Sequence, residues 1–147
     1  MNTTDYSKAQ GHWVLAQMGK KVLRPGGKEL THQLVRLLEI NTKDHIAEFA
    51  PGLGFTASIA LKSTPFSYVG IDSNEAAIRY LKQKITGENV EFLEGNAAAT
   101  SLISASKDKV YGEAMLTMHA DHRKSEIIKE AHRILKKGGL YAIHELG

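Results

Sequence analysis

Along this chain, short apolar runs of strand length alternate with longer stretches whose apolar residues recur every three or four positions. Residues 5–22 place Trp13, Leu15, Met18 and Val22 irregularly on one side of a helix that Arg24-Pro25-Gly26-Gly27 ends. Leu30, Leu34, Val35, Leu37 and Leu38 predict a second helix over 28–40. A first strand is expected over 45–50, then a helix over 53–62 once Pro51, Gly52 and Gly54 have broken the strand. Residues 67–71 form a second strand ending at Asp72, and Ala77, Ile78, Leu81 and Ile85 make 74–86 amphipathic until Gly87 stops it. A third strand is expected over 89–93, reaching Gly95-Asn96, with a short helix over 97–104 and a fourth strand over 110–116. Ile127, Ile128, Ala131, Ile134 and Leu135 predict a helix over 122–135, and a fifth strand follows Gly138-Gly139 over 140–146. Strands alternating with helices of this length require crossover connections. The expected fold is therefore α/β: a doubly wound parallel sheet with helices on both faces.

Composition narrows the class. At 147 residues, 42% hydrophobic and 24% charged, the chain matches one globular domain with a core of its own, neither disordered nor membrane-embedded. The first residues, Met-Asn-Thr-Thr-Asp, lack the basic and apolar regions of a secretory signal, and no apolar run is long enough to span a bilayer. The absence of cysteine removes disulfide frameworks and thiolate metal sites, and the expected location is the cytoplasm. Nineteen Lys and Arg residues, net charge +3, are scattered through the chain, so a solvated surface is favoured over a nucleic-acid partner, even for the helix bearing His122, Arg123, Lys124 and Lys129.

The chemistry centres on residues 45–57, His-Ile-Ala-Glu-Phe-Ala-Pro-Gly-Leu-Gly-Phe-Thr-Ala, a strand that breaks at a glycine turn and enters a helix. Such a turn exposes peptide N–H groups to a ligand near the positive end of a helix. In an open parallel sheet, ligands bind beyond the carboxyl ends of the strands, where the strand order reverses. Glu48, Asp72, Asn96 and Glu113 all fall at or near such ends and, if the strand order is 3-2-1-4-5, would converge beside the turn. An acid ending the second strand suits a ribose, since one carboxylate can accept from both hydroxyls. An amide after the third strand can meet an adenine amine. Structural roles compete with these: Asp72 and Asn96 also suit helix caps, Arg24 suits a surface residue packing its stem, and His12, His119 and His144 as general bases compete with plain structural histidines. Tyr6 and Trp13 suit core packing more than an acceptor pocket.

These residues resemble the class I S-adenosylmethionine-dependent methyltransferases, a Rossmann-like family, over about residue 24 to the end. The family's first motif stands here as Glu48-Phe49-Ala50-Pro51-Gly52-Leu53-Gly54, with Ala50 in place of the first glycine. Its ribose acid matches Asp72 with Ser73 beside it, and its acid after the third strand matches Gly95-Asn96-Ala97. Glu113-Ala114-Met115-Leu116-Thr117-Met118 is similar to the fourth motif, and Leu135-Lys136-Lys137-Gly138-Gly139 to the segment before strand five. The resemblance implies S-adenosyl-L-methionine as cofactor and methyl transfer to a small-molecule acceptor. It assigns Ala50, Pro51, Gly52 and Gly54 to the cofactor turn, Glu48 to the methionine ammonium directly or through water, and Asp72 to the ribose. Asn96 and Ala97 would meet adenine, Arg24 the methionine carboxylate, and Glu113 would lie near the methionine part. Residues 1–40 would form helices and a hinge covering the cofactor, and 41–147 the core that binds it. No catalytic side chain and no metal is expected, because in-line transfer from a sulfonium relies on positioning.

Two other readings stay open at this level. One is an NAD(P)-binding domain of an oxidoreductase, which Gly52, Gly54, Ala57 and Asp72 also permit, although Glu48 and Glu113 would repel a pyrophosphate. The other is a cofactor-binding fragment inactive without a C-terminal part, because the family adds a sixth and a seventh strand after the fifth. An uncovered fifth strand would be an edge with unpaired backbone groups, where two copies of the chain could meet as a homodimer.

Overall fold

The computed structural model describes residues 27–113 and 121–144, and the side chains among them other than those of 27–30, 113, 121, 122 and 144. The elements run α1 (Gly27–Leu38), β1 (His45–Phe49), α2 (Phe55–Leu61), β2 (Ser67–Asp72), α3 (Glu75–Lys84), β3 (Val90–Glu94), β4 (Lys107–Glu113), α4 (Asp121–Ile134) and β5 (Leu135–His144). The expected helix over 5–22, its hinge with Arg24, and Ala114 to Met118 lie outside the described residues, as do Tyr6, His12, Trp13 and His119.

The five strands pair in the order β3-β2-β1-β4-β5, every pair parallel, as the alternating pattern predicts. Successive side chains of a strand face opposite ways, so a central strand must be apolar on both sides. On one face Ile46, Tyr68, Phe92, Tyr111 and Ala142 pack with Leu34, Val35 and Leu38 of α1, Ala57 and Ala60 of α2, and Ile78 and Leu81 of α3. On the other, Ala47, Phe49, Val69, Ile71, Val110, Tyr141 and Ile143 pack with Ile127, Ala131 and Ile134 of α4.

Polar anchors gather at the opposite end of the sheet from the glycine turn. Lys109 Nζ donates to the Leu38 carbonyl at the end of α1 (2.6 Å) and lies 3.4 Å from the Asp44 carboxylate, where a cation complements the helix terminus. The Asp44 carbonyl accepts from Phe66 N–H (2.8 Å), and Asp108 Oδ2 accepts from His45 N–H (2.8 Å). These contacts tie together the starts of β1, β2 and β4 and leave the carboxyl ends to the turns.

Three boundaries differ from the sequence reading. No helix forms over 97–104: Asn96 bridges to Ala99, and Ser101 and Ala105 adopt positive φ (66° and 52°). The reason is tertiary. Glu130 Oε2 accepts from Thr100 N–H (2.8 Å) and Thr100 Oγ1 (2.6 Å), while Arg133 donates to the Leu102 carbonyl (2.7 Å) and to Ser104 Oγ (2.8 Å). The segment spends its polar groups on α4 instead of on a helix of its own. β4 begins at Lys107 rather than 110, and β5 begins at Leu135, directly after α4. Gly138-Gly139 then lies inside β5, in an irregularity where the pairing passes from Lys107↔Leu135 to Lys109↔Leu140. Gly138 has φ 84°, and a Cβ on Gly139 would stand 3.0 Å from the carbonyl oxygens of Asp108 and Lys136.

Candidate functional site

The turn after β1 holds its backbone in a conformation that side chains disfavour. Ala50, Gly52 and Gly54 have φ of 54°, 59° and 87°, and Ala50 pays for its Cβ there with about 1–2 kcal/mol of strain. The two glycines serve different ends. A Cβ on Gly54 would meet Leu81 Cδ2 at 2.7 Å and Ile85 Cδ1 at 2.9 Å, so Gly54 lets α3 close against the start of α2. A Cβ on Gly52 would meet nothing within 4 Å. Its backbone therefore borders open space that a ligand can enter.

Asp72 is where the turns converge. Its Oδ2 accepts from Gly52 N–H (3.1 Å), its Oδ1 from Asn74 N–H (2.9 Å), and its carbonyl from Gly95 N–H (2.9 Å). Ala50 N–H donates to the Ile71 carbonyl (2.7 Å), one residue earlier. The loops after β1, β2 and β3 thus meet on one residue. The helix cap, the structural role that competes for Asp72 in the sequence, falls to Asn74, whose Oδ1 accepts from Ala77 N–H (3.2 Å). Ser73 beside it is exposed. Asn96 is exposed and shapes a turn, its Oδ1 accepting from Ala98 N–H (2.8 Å) and its carbonyl from Ala99 N–H (2.9 Å), while Ala97 packs against the α4 side of the core. Pro51 is buried behind the turn.

Glu48 lies below this surface. It is 2% exposed, and its Oε1 accepts from Tyr68 Oη at 2.7 Å, with Tyr111 Oη 3.4 Å away. Burial, then the negative charge of Glu48 and the neighbouring Tyr111, push the Tyr68 phenol well above its usual range, so its proton stays in place. The sequence reading missed both tyrosines. The signal was there, since a carboxylate in mid-strand needs donors from the strands beside it. Glu113 ends β4 one residue past the Phe49↔Gly112 pairing, beside the turn; its side chain is outside the described ones, and Arg24 is outside the described residues altogether.

The glycine turn, the open side of Gly52 and the adjacent Asp72 carboxylate suit a nucleoside whose ribose hydroxyls would donate to that carboxylate. Among the described residues, no group of three or more His, Asp or Glu side chains is arranged to hold a metal, and no helix is long and apolar enough to cross a membrane.

Comparison with known proteins agrees with this fold. The methyltransferase-domain family matches residues 46–139. An uncharacterized protein of Haemophilus influenzae is 33% identical over 140 residues, 92% of this chain and 56% of that protein. An uncharacterized methyltransferase of Synechocystis is 27% identical over 136 residues, 91% of this chain and 63% of its own length. Among solved structures, an S-adenosylmethionine-dependent methyltransferase of Mesorhizobium loti superposes with a TM-score of 0.68 at 17% identity, covering 80% of this chain and 53% of that one; at that identity it speaks for the fold alone. A sheet in this order, with its loops gathered at the carboxyl ends of β1 to β3, defines a Rossmann-like α/β domain, and this chain belongs to the methyltransferase-domain family. It spans little more than half the length of the two relatives.

Proposed function

We propose that this chain binds S-adenosyl-L-methionine and forms the cofactor-binding part of an enzyme that methylates a small-molecule acceptor in the cytoplasm. The observation that carries this reading is the meeting of three loops on Asp72 beside the open backbone of Gly52. Bound there, the cofactor would supply an electrophilic methyl group on a sulfonium.

The residues of the chain hold and orient. Asp72 accepts from the ribose hydroxyls with the lone pairs that its two backbone donors leave free. Gly52 brings bare backbone against the ligand, while Gly54, Ala50 and Pro51 keep the turn in shape. Asn96 and Ala97 border the adenine, with Ser73 at the same rim. Glu48 offers negative charge to the methionine ammonium from beneath the turn, Glu113 lies toward the methionine end, and Arg24 pairs with its carboxylate. Residues 1–40 cover the cofactor, and 41–147 form the core that binds it. Acceleration then comes from alignment of acceptor and methyl group, which needs no nucleophilic side chain. Two copies of the chain meet along β5, the edge strand of the described sheet.

Calorimetry tests the reading directly. S-adenosylhomocysteine should bind with a dissociation constant in the micromolar range, about −8 kcal/mol, and NAD should not compete with it. Tighter binding of NAD would refute the proposal and favour the oxidoreductase alternative.

A further inference from the structure

Beneath the glycine turn, three adjacent strands each place one polar group at the same spot in the core. Glu48 of β1 receives the hydroxyl of Tyr68 from β2, and that of Tyr111 approaches from β4. All three residues are buried, at 2%, 1% and 0% exposure. Tyr111 stands level with Glu48 in the β1–β4 register, so its hydroxyl is close by construction. Tyr68 is level with Ile46, two residues earlier, and its ring must lie along the strand to reach the carboxylate. Gly70 makes that possible. It is the residue level with Glu48 on β2, and a Cβ there would stand 2.8 Å from Tyr68 Oη and 2.9 Å from Phe92 Cδ1. Phe92 in turn packs edge-on against the Tyr68 ring, with centroids 5.4 Å apart, and fixes its tilt.

A sheet core gains nothing in packing from this arrangement that Phe, Leu and Phe would not give, and a buried carboxylate costs several kcal/mol unless donors satisfy it. Here the hydroxyls of Tyr68 and Tyr111 supply such donors. A fixed negative charge in a low-dielectric interior acts through several ångströms without touching its target, and Glu48 is two residues from the turn where the ligand would lie. We propose that Tyr68 and Tyr111 are positioning residues that keep Glu48 as an aimed negative charge, with Gly70 as the space that admits Tyr68. That charge selects ligands with an ammonium-bearing amino-acid tail over the bare nucleoside. The proposal deepens the cofactor reading above and rests on it.

The test compares two ligands that differ in that tail: S-adenosylhomocysteine, which carries the ammonium, and 5′-methylthioadenosine, which is neutral. Binding to the full chain is measured by calorimetry for the parent and for Tyr68→Phe, Glu48→Gln and Gly70→Ala. Tyr68→Phe should lose about fivefold or more in affinity for S-adenosylhomocysteine and less than about twofold for methylthioadenosine, and Gly70→Ala should show the same split, because its Cβ displaces the hydroxyl. Glu48→Gln, which keeps the shape and removes the charge, should show the larger loss. Should Tyr68→Phe fail to fold, Tyr111→Phe carries the same expectation with a smaller loss, given its longer contact. Equal losses for the two ligands would mean that the cluster is structural only and would overturn the proposal, as would no loss for either. A parent protein that binds neither ligand would overturn the cofactor reading itself and the inference with it.

Discussion

Replacing Glu130 with glutamine tests how α4 holds the loop that carries Asn96 and Ala97. Glu130 is 7% exposed and accepts from Thr100 N–H and Oγ1 and from Arg133 Nε and Nη2 at 2.6 to 2.8 Å. The Arg133 guanidinium holds its carboxyl down from 4.5 to about 2, against burial, with the Thr100 donors adding to the effect. At 1.36 kcal/mol per pH unit, that difference is worth about 3 kcal/mol of folding free energy. Because the folded-state value is depressed, the contribution is complete above about pH 4.5 and drains away as the pH falls toward 2. At pH 3.5 about 2 kcal/mol of it should remain. Urea denaturation of the parent and Glu130→Gln should therefore show a gap of about 3 kcal/mol at pH 7 that narrows to about 2 at pH 3.5. A glutamine side chain would also set its NH2 against the Arg133 donors, leaving the loop less firmly held, so affinity for S-adenosylhomocysteine should fall along with stability. A gap of the same size at both pH values would show that the carboxylate's charge does not matter there, and the reasoning would fail.

Two further outcomes follow from the turn. Asp72→Ala removes the acceptor of Gly52 N–H and Asn74 N–H, so it should cost about 1–2 kcal/mol of stability as well as tenfold or more in S-adenosylhomocysteine affinity; an unchanged affinity would leave Asp72 only as a brace. Ala50→Gly should raise the unfolding free energy by up to about 1 kcal/mol, the relief of a Cβ held at φ 54° less the added freedom of the unfolded chain; a clear loss in urea denaturation would show that Ala50 is not strained.

The alternation of strands and helices that makes the sheet parallel, and its glycine turn, are legible in the sequence because each rests on local signals. Period-2 and period-3.6 patterns separate strands from helices, and Pro51 with Gly52 and Gly54 can only end a strand. Asp72 and Asn96 stand out for the same reason, as polar residues where apolar runs stop. The sequence alone does not say what those side chains touch. Residues 97–104 read as a helix because propensity counts only neighbours, whereas Glu130 and Arg133, about thirty positions away, take the hydrogen bonds that a helix would use. The bond from Gly52 N–H to Asp72 is not legible in the sequence because the two lie twenty positions apart. The Glu48–Tyr68–Tyr111 cluster is decided by strand register, which brings three separate segments level, and by the missing side chain of Gly70, which leaves room between them. What depends on residues within a few positions of one another was determined by the sequence by itself; what depends on which strands lie side by side, and at what offset, was decided only when the sheet closed.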